Sequence, residues 1–99
     1  MSLKDMLECI RNNNLVCLKE IMEDEETYLT SKICTKILLE CLKNDNIKIS
    51  NYVLSYNFDL DAELFEKYIE TNRPFSEKQI INLNKILEKF FICCLINTQ

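Results

Sequence analysis

The side chains able to do chemistry here are six cysteines, sixteen carboxylates and four tyrosines, and histidine is absent. Without imidazole there is no Ser-His-Asp or Cys-His catalysis and no histidine metal ligand. Thiolates alone bind zinc when four converge, usually as two close pairs such as Cys-x-x-Cys. Cys9, Cys17, Cys34, Cys41, Cys93 and Cys94 do not have that spacing. Cys34 and Cys41 stand seven apart, two helical turns on one face, which is core spacing. The adjacent Cys93 and Cys94 would form a redox pair only with strain. Two phenylalanines beside them would suit palmitoylation, but an apolar helix accounts for the same residues. We therefore expect reduced thiols acting as small apolar side chains, with no metal and no cofactor.

The carboxylates show no acid-base context. Glu23-Asp24-Glu25-Glu26 are adjacent and do not converge on one point, so they read as a solvated connection. Asp59 and Asp61 alternate on a short extended stretch. A glycosidase-like pair would need a large cleft, whereas helix capping and a turn explain both. Tyr28, Tyr52, Tyr56 and Tyr68 are scattered. They are not interleaved with basic residues as a stacking platform requires, and are expected to cover apolar edges with their hydroxyls wet. The chain also lacks glycine, where average usage of about 7% would give roughly seven. Phosphate-cradling loops and dinucleotide fingerprints are thereby excluded. We expect no enzymatic activity.

Twelve dispersed basic residues against sixteen acidic ones give a net charge of −4. Nucleic-acid binding rests on clustered basic charge, so nucleic acid is not an expected partner. Met1-Ser2-Leu3-Lys4-Asp5 lacks the apolar core of a signal peptide. The longest apolar run, Phe90 to Ile96, has seven residues, against the roughly 20 a membrane span requires. The terminal Ile96-Asn97-Thr98-Gln99 is no prenylation box. A cytoplasmic protein is expected.

The elements that must hold these residues are helices, since the apolar spacing is helical almost throughout. Leu3, Met6, Leu7 and Ile10 form a first stripe, with Ser2 and Asp5 as a capping pair. Leu15, Leu18, Ile21 and Met22 form a second. A third helix is expected over Ser31–Lys43, with Ile33, Ile37, Leu38, Cys41 and Leu42 inward. A fourth spans about Asn46 to Tyr56, with Ile47, Ile49, Val53 and Leu54 inward. A fifth begins after Asp59 or Asp61, carries Leu64, Phe65, Tyr68 and Ile69, and stops before Pro74. A sixth opens at Ser76 with Gln79 completing a capping box. Its inward stripe is read as Ile80, Leu83, Leu87, Phe90, Phe91 and Cys94.

An internal repeat links the first two helix pairs. Met6 to Leu15 matches Leu38 to Ile47 at an offset of 32 residues. Leu7, Glu8, Cys9, Asn12 and Asn14 recur as Leu39, Glu40, Cys41, Asn44 and Asn46. Each copy is helix, tight polar turn, helix, and a period of this length marks a stacking architecture.

This period resembles the ankyrin repeat, most closely over Leu38 to Ala62, where Ser55 to Ala62 is similar to the family's closing stretch. Cys9 and Cys41 stand where that family places small residues for close stacking. The Thr-Pro-Leu-His opening is missing. Asn13, Asp45 and Asn57 replace the family's glycines, and Asn and Asp are the non-glycine residues that most readily turn left-handed. Divergent repeats rich in Asn, Lys and Ile are similar to those of large DNA viruses and of other AT-rich genomes, protists included; a viral source would place the protein in host cytoplasm. The resemblance implies an all-α, short stack of about three helix-turn-helix pairs forming one domain. Repeat-like copies would cover about 4–35 and 36–62, with a third pair at 62–96.

It also implies a non-catalytic protein-interaction module. The first helices' exposed face would supply Glu8, Arg11, Asn12, Glu40, Lys43 and Asn44, with Asp59 and Asp61 at the tip. The alternative reading is a small homodimer or structural subunit docking through its apolar C-terminal helix, at Phe90, Phe91 and Leu95.

Overall fold

The structure is a computed structural model that describes the backbone of residues 2–97 and the side chains of residues 2–90. Six helices follow one another: α1 (Leu3–Arg11), α2 (Leu15–Glu23), α3 (Ser31–Lys43), α4 (Ile47–Leu54), α5 (Ala62–Asn72) and α6 (Glu77–Asn97). Among the described residues there is no strand, and the chain is all-α. No helix is long and apolar enough to cross a membrane among the described residues.

Each helix starts where a side-chain oxygen meets one of its free N–H groups. Ser2, Asn14, Thr30, Asn46 and Asp61 accept from the third residue onward, at Asp5, Cys17, Ile33, Ile49 and Leu64. At α6 the expected capping box forms: Gln79 N–H donates to Ser76 Oγ at 3.2 Å, and Ser76 N–H donates to Gln79 Oε1 at 2.9 Å. The pairing of Ser2 with Asp5 is likewise reciprocal.

The core lies around α3, which packs against α1, α4, α5 and α6. Met6 and Ile10 of α1, Leu18 of α2, Ile37, Leu38 and Leu42 of α3, Ile49 and Val53 of α4, and Ile86 of α6 are fully enclosed. Burial of these apolar groups is the main driving force for assembly. Cys34 and Cys41 share the inner side of α3, as their spacing requires, and both are free thiols.

Two expectations change here. Ile80 does not face inward; it is 45% exposed, and Ile86 takes the buried place. The packed stripe of α6 is Asn82, Leu83, Ile86, Leu87 and Phe90. That is a regular i, i+3, i+4 pattern. The polar Asn82 inside it, fully buried with both amide atoms unpartnered, disguises the register. Second, Asn57 is not left-handed: among the described residues only Asn13 and Asp45 have positive φ. After α4 the carbonyls that such a cap would close, those of Tyr52 and Val53, accept instead from the Ser55 and Tyr56 N–H groups. The Lys89 ammonium, from α6, donates to the carbonyls of Leu54 and Tyr56. It also lies 5.0 Å from the Phe58 ring and 5.3 Å from the Phe90 ring.

The stretch from Asn57 to Asp61 stays unpaired as a strand but alternates as expected. Phe58 and Leu60 turn toward the core while Asn57 and Asp59 are exposed. It is tied down at its end by the Asp61 N–H, which donates to the buried Thr35 hydroxyl at 2.9 Å. Thr35 in turn donates to the Ser31 carbonyl at 2.7 Å.

Candidate interaction surface

The repeat in sequence is a repeat in backbone. Asn12 N–H donates to Glu8 O at 3.0 Å, and Asn44 N–H to Glu40 O at 3.0 Å. Asn14 N–H donates to Cys9 O at 2.8 Å, and Asn46 N–H to Cys41 O at 2.9 Å. Between them Asn13 and Asp45 take φ of 53° and 54°. This is the left-handed helix ending in which C-terminal carbonyls are closed by N–H groups beyond the cap. The same Asn that closes one helix then caps the next through its side chain. A three-residue polar turn therefore reverses the chain twice in the same way.

The two turns also touch. Asn46 Nδ2 donates to Asn13 Oδ1 at 2.8 Å, and Arg11 Nε donates to Glu40 Oε1 at 2.6 Å. Behind them α2 meets α4, where Lys19 lies 5.3 Å from the Tyr52 ring and the Tyr52 hydroxyl donates to Glu23 Oε1 at 3.1 Å. The Tyr52 and Tyr56 hydroxyls lie 2.9 Å apart. Burial and these partners push the Tyr52 phenol above its ordinary value. These two tyrosines and Tyr68 are half-buried edge covers, but Tyr28 is 81% exposed and covers nothing.

The residues singled out in the sequence separate into three sets. Glu8, Asn12, Lys43 and Asp59 are exposed. Arg11 and Glu40 are engaged with each other, and the Asn44 amide donates to the Glu40 carbonyl. Asp61 caps α5 and is half-buried. At the C-terminal end Phe90 is half-buried, its ring 5.2 Å from that of Phe58. Phe91, Leu95, Cys93 and Cys94 lie outside the residues whose side chains are described. Glu23, Asp24, Glu25 and Glu26 are all exposed, as a solvated connection requires.

Two surface hollows went unread in the sequence. One, of about 350 Å³, lies between α5 and α6, with Phe65, Ile69, Leu83 and Leu87 as its apolar lining and Glu66, Glu70 and Arg73 as charged members. The other, of about 310 Å³, opens on α1 and α2 and is lined by Asp5, Glu8, Cys9, Asn12, Asn14, Cys17 and Ile21. There the Cys9 thiol donates to Cys17 Sγ at 3.0 Å. Cys9 and Cys17 are eight apart with a helix reversal between them. Periodicity along one helix gives no hint of such a contact.

Together these features define an all-α chain whose first two helix pairs repeat one turn. No protein-family model, no curated protein and no solved structure matches the chain.

Proposed function

We propose that the protein is a non-catalytic protein-interaction module of the ankyrin-repeat kind, a short stack of helix pairs acting in the cytoplasm. The observation that carries this reading is the duplicated turn. Two helix pairs of matching sequence end in the same left-handed geometry and dock turn against turn. Such an arrangement presents equivalent side chains in register along one edge. On that edge Glu8 and Asn12 of the first copy and Lys43 of the second are exposed, while the exposed Arg11 and Asn44 are bonded to Glu40. A bait carrying Glu8→Lys together with Lys43→Glu keeps every cap and turn. It should lose at least one protein recovered from host lysate by the unaltered chain. Equal recovery of every protein by both baits rejects this edge as the contact face.

A second reading has its own observation. Ile80 and Ile81 are 45% and 51% exposed, on the same helix, α6, as Leu83 and Leu87 of the α5–α6 hollow. Exposed apolar clusters of this kind serve association. The C-terminal helix would then dock a second copy or a structural partner. Light scattering should give a dimer that Ile81→Asp dissociates. A monomer unchanged by that substitution removes the homodimer.

A further inference from the structure

The hollow on α1 and α2 holds two thiols that packing alone does not explain. The repeat supplies the control. At the offset of 32 residues Cys9 corresponds to Cys41 and Cys17 to Ile49. Cys41 and Ile49 are both fully buried, one a thiol and the other an ordinary aliphatic side chain. In the first copy the aliphatic partner is replaced by a second thiol, half-buried and at the edge of an open hollow of about 310 Å³. The two sulfurs are 3.0 Å apart, so about 1 Å of closure would bring them to the ~2.05 Å of a disulfide. They sit on different helices on either side of the turn, so a bond between them would staple α1 to α2.

We propose that Cys9 and Cys17 form a reversible redox site, oxidised to an intramolecular disulfide by a small soluble disulfide of the glutathione class. Cys17 is the entry sulfur because it is the more accessible of the two. Its thiolate attacks one sulfur of the small disulfide, giving a mixed disulfide on Cys17 and expelling one thiolate, which takes up the proton Cys17 released. Cys9, 6% exposed, is the resolving thiol. It attacks the Cys17 sulfur, the new S–S bond forms, and the second small thiolate leaves and takes the Cys9 proton. Two protein thiols lose two electrons, and one small disulfide becomes two thiols. Only the thiolate is the nucleophile in such exchange. Burial, then the Cys17 sulfur beside it, push the Cys9 thiol up to about 12. Resolution accordingly accelerates as pH rises.

The other described thiols have no such arrangement. Cys34 and Cys41 are enclosed in the core, and burial raises both, Cys41 to about 12. The site is independent of any partner: its chemistry can be read on the full chain whether or not the interaction reading survives.

Trypsin cleavage after Arg11 and Lys19 places Cys9 in the fragment 5–11 and Cys17 in the fragment 12–19, separate from Cys34, Cys41 and Cys93–Cys94. The folded chain is incubated with oxidised glutathione, alkylated, digested and mass-mapped. The expected product is a covalent 5–11/12–19 pair lighter by two hydrogens than the reduced fragments together, lost on dithiothreitol treatment. The intact oxidised chain should have a thermal midpoint raised by about 5–15 °C relative to the reduced chain. Cys9→Ser should instead trap glutathione on Cys17. Cys17→Ile, which installs the residue of the second copy, should fold and form no pair. The proposal is overturned if wild type carries glutathione on Cys17 without the linked fragments. It is equally overturned if links among the other cysteines form as readily as the 5–11/12–19 link.

Discussion

The turn after α1 and the turn after α3 share one backbone, but the helix pairs they close live in different surroundings. α3 is enclosed by α1, α4, α5 and α6, whereas α1 packs mainly against α2 and α3. The side chains change accordingly at matching positions. Asp5, exposed, stands where the second copy has the buried Ile37. Cys17, half-buried, stands where it has the buried Ile49. The residues kept between copies include those whose backbone groups make the reversal, Asn12 and Asn44, Asn14 and Asn46, Cys9 and Cys41, beside Leu7 and Leu39 and Glu8 and Glu40. The turn is specified locally, and the faces around it are specified by what each helix pair meets.

The largest effect should come from testing that difference in burial at one equivalent position. Ile10 and Leu42 correspond across the repeat and are 1% and 0% exposed. Truncating a buried aliphatic side chain to Ala costs about 2–5 kcal/mol, depending on how far the site can collapse. Leu42→Ala, on the central helix, should fall toward the upper end and Ile10→Ala toward the lower. Urea unfolding measures both. Equal losses would mean that α1 is as firmly enclosed as α3.

Next in size are the left-handed residues. Asn13 and Asp45 share φ near 53° and 54°, and glycine relieves the steric cost of that region. Asp45→Gly should be neutral or stabilising by up to about 1 kcal/mol. Asn13→Gly gains the same relief but removes the acceptor for Asn46 Nδ2. Asn46 is 9% exposed, and an unsatisfied buried donor costs about 1–3 kcal/mol. A net loss at 13 beside a net gain at 45 would show that the two turns differ only in their contact with each other. The same sign at both positions would refute it.

How much of this could be read in the sequence follows the same division. Where a helix start was legible, it was because a cap is a local event: Ser2 with Asp5, Ser76 with Gln79, and Asp61, one of two residues read before the fifth helix, act within three residues of themselves. The caps Asn14, Thr30 and Asn46 went unread. The left-handed turns were legible because Asn13 and Asp45 substitute for glycine in a repeated frame. Ile80 was misread because the buried stripe runs through a polar residue, Asn82, which hydrophobic periodicity counts as outward. Asn57 was misread because α4 ends without a left-handed residue: the Ser55 and Tyr56 N–H groups close the Tyr52 and Val53 carbonyls. The Arg11–Glu40 bridge and the Cys9–Cys17 contact depend on how helices meet, which composition does not encode.

The paired thiols at Cys9 and Cys41 give a smaller, pH-dependent contrast. Burial is the main cause that raises each from 9.0 to about 12. Below pH 9 both thiols are neutral in folded and unfolded chains alike, and their full contribution to stability is present. Between pH 9 and 12 the unfolded chain releases its protons and the folded chain does not, so stability falls as pH rises. For Cys41, fully enclosed, the loss between pH 8 and pH 10 should be on the order of 1 kcal/mol. Cys9 borders the open hollow, where water screens a charge, so its share should be smaller. Urea midpoints at the two pH values, compared among wild type, Cys41→Ala and Cys9→Ala, measure the shares. A flatter profile for Cys9→Ala than for Cys41→Ala would reverse the ranking.

The smallest difference concerns the charge at the end of each first helix. Arg11 reaches Glu40 at 2.6 Å, with the arginine side chain 54% exposed and the glutamate 12%. Exposed ion pairs contribute roughly 0.2–1 kcal/mol. The double-mutant cycle of Arg11→Ala and Glu40→Ala should give a coupling in that range which weakens with added salt. In the second copy Lys43 takes the place of Arg11, and the position 32 residues beyond Glu40 is the neutral Asn72. Lys43→Ala should therefore change stability by no more than about 0.5 kcal/mol. That leaves Lys43 free to serve an outside contact, while Arg11 is committed to holding α1 on α3. A cost at Lys43 equal to that at Arg11 would mean both charges are structural, and the exposed edge would lose its only described cation outside the ion pair among the matched first-helix positions.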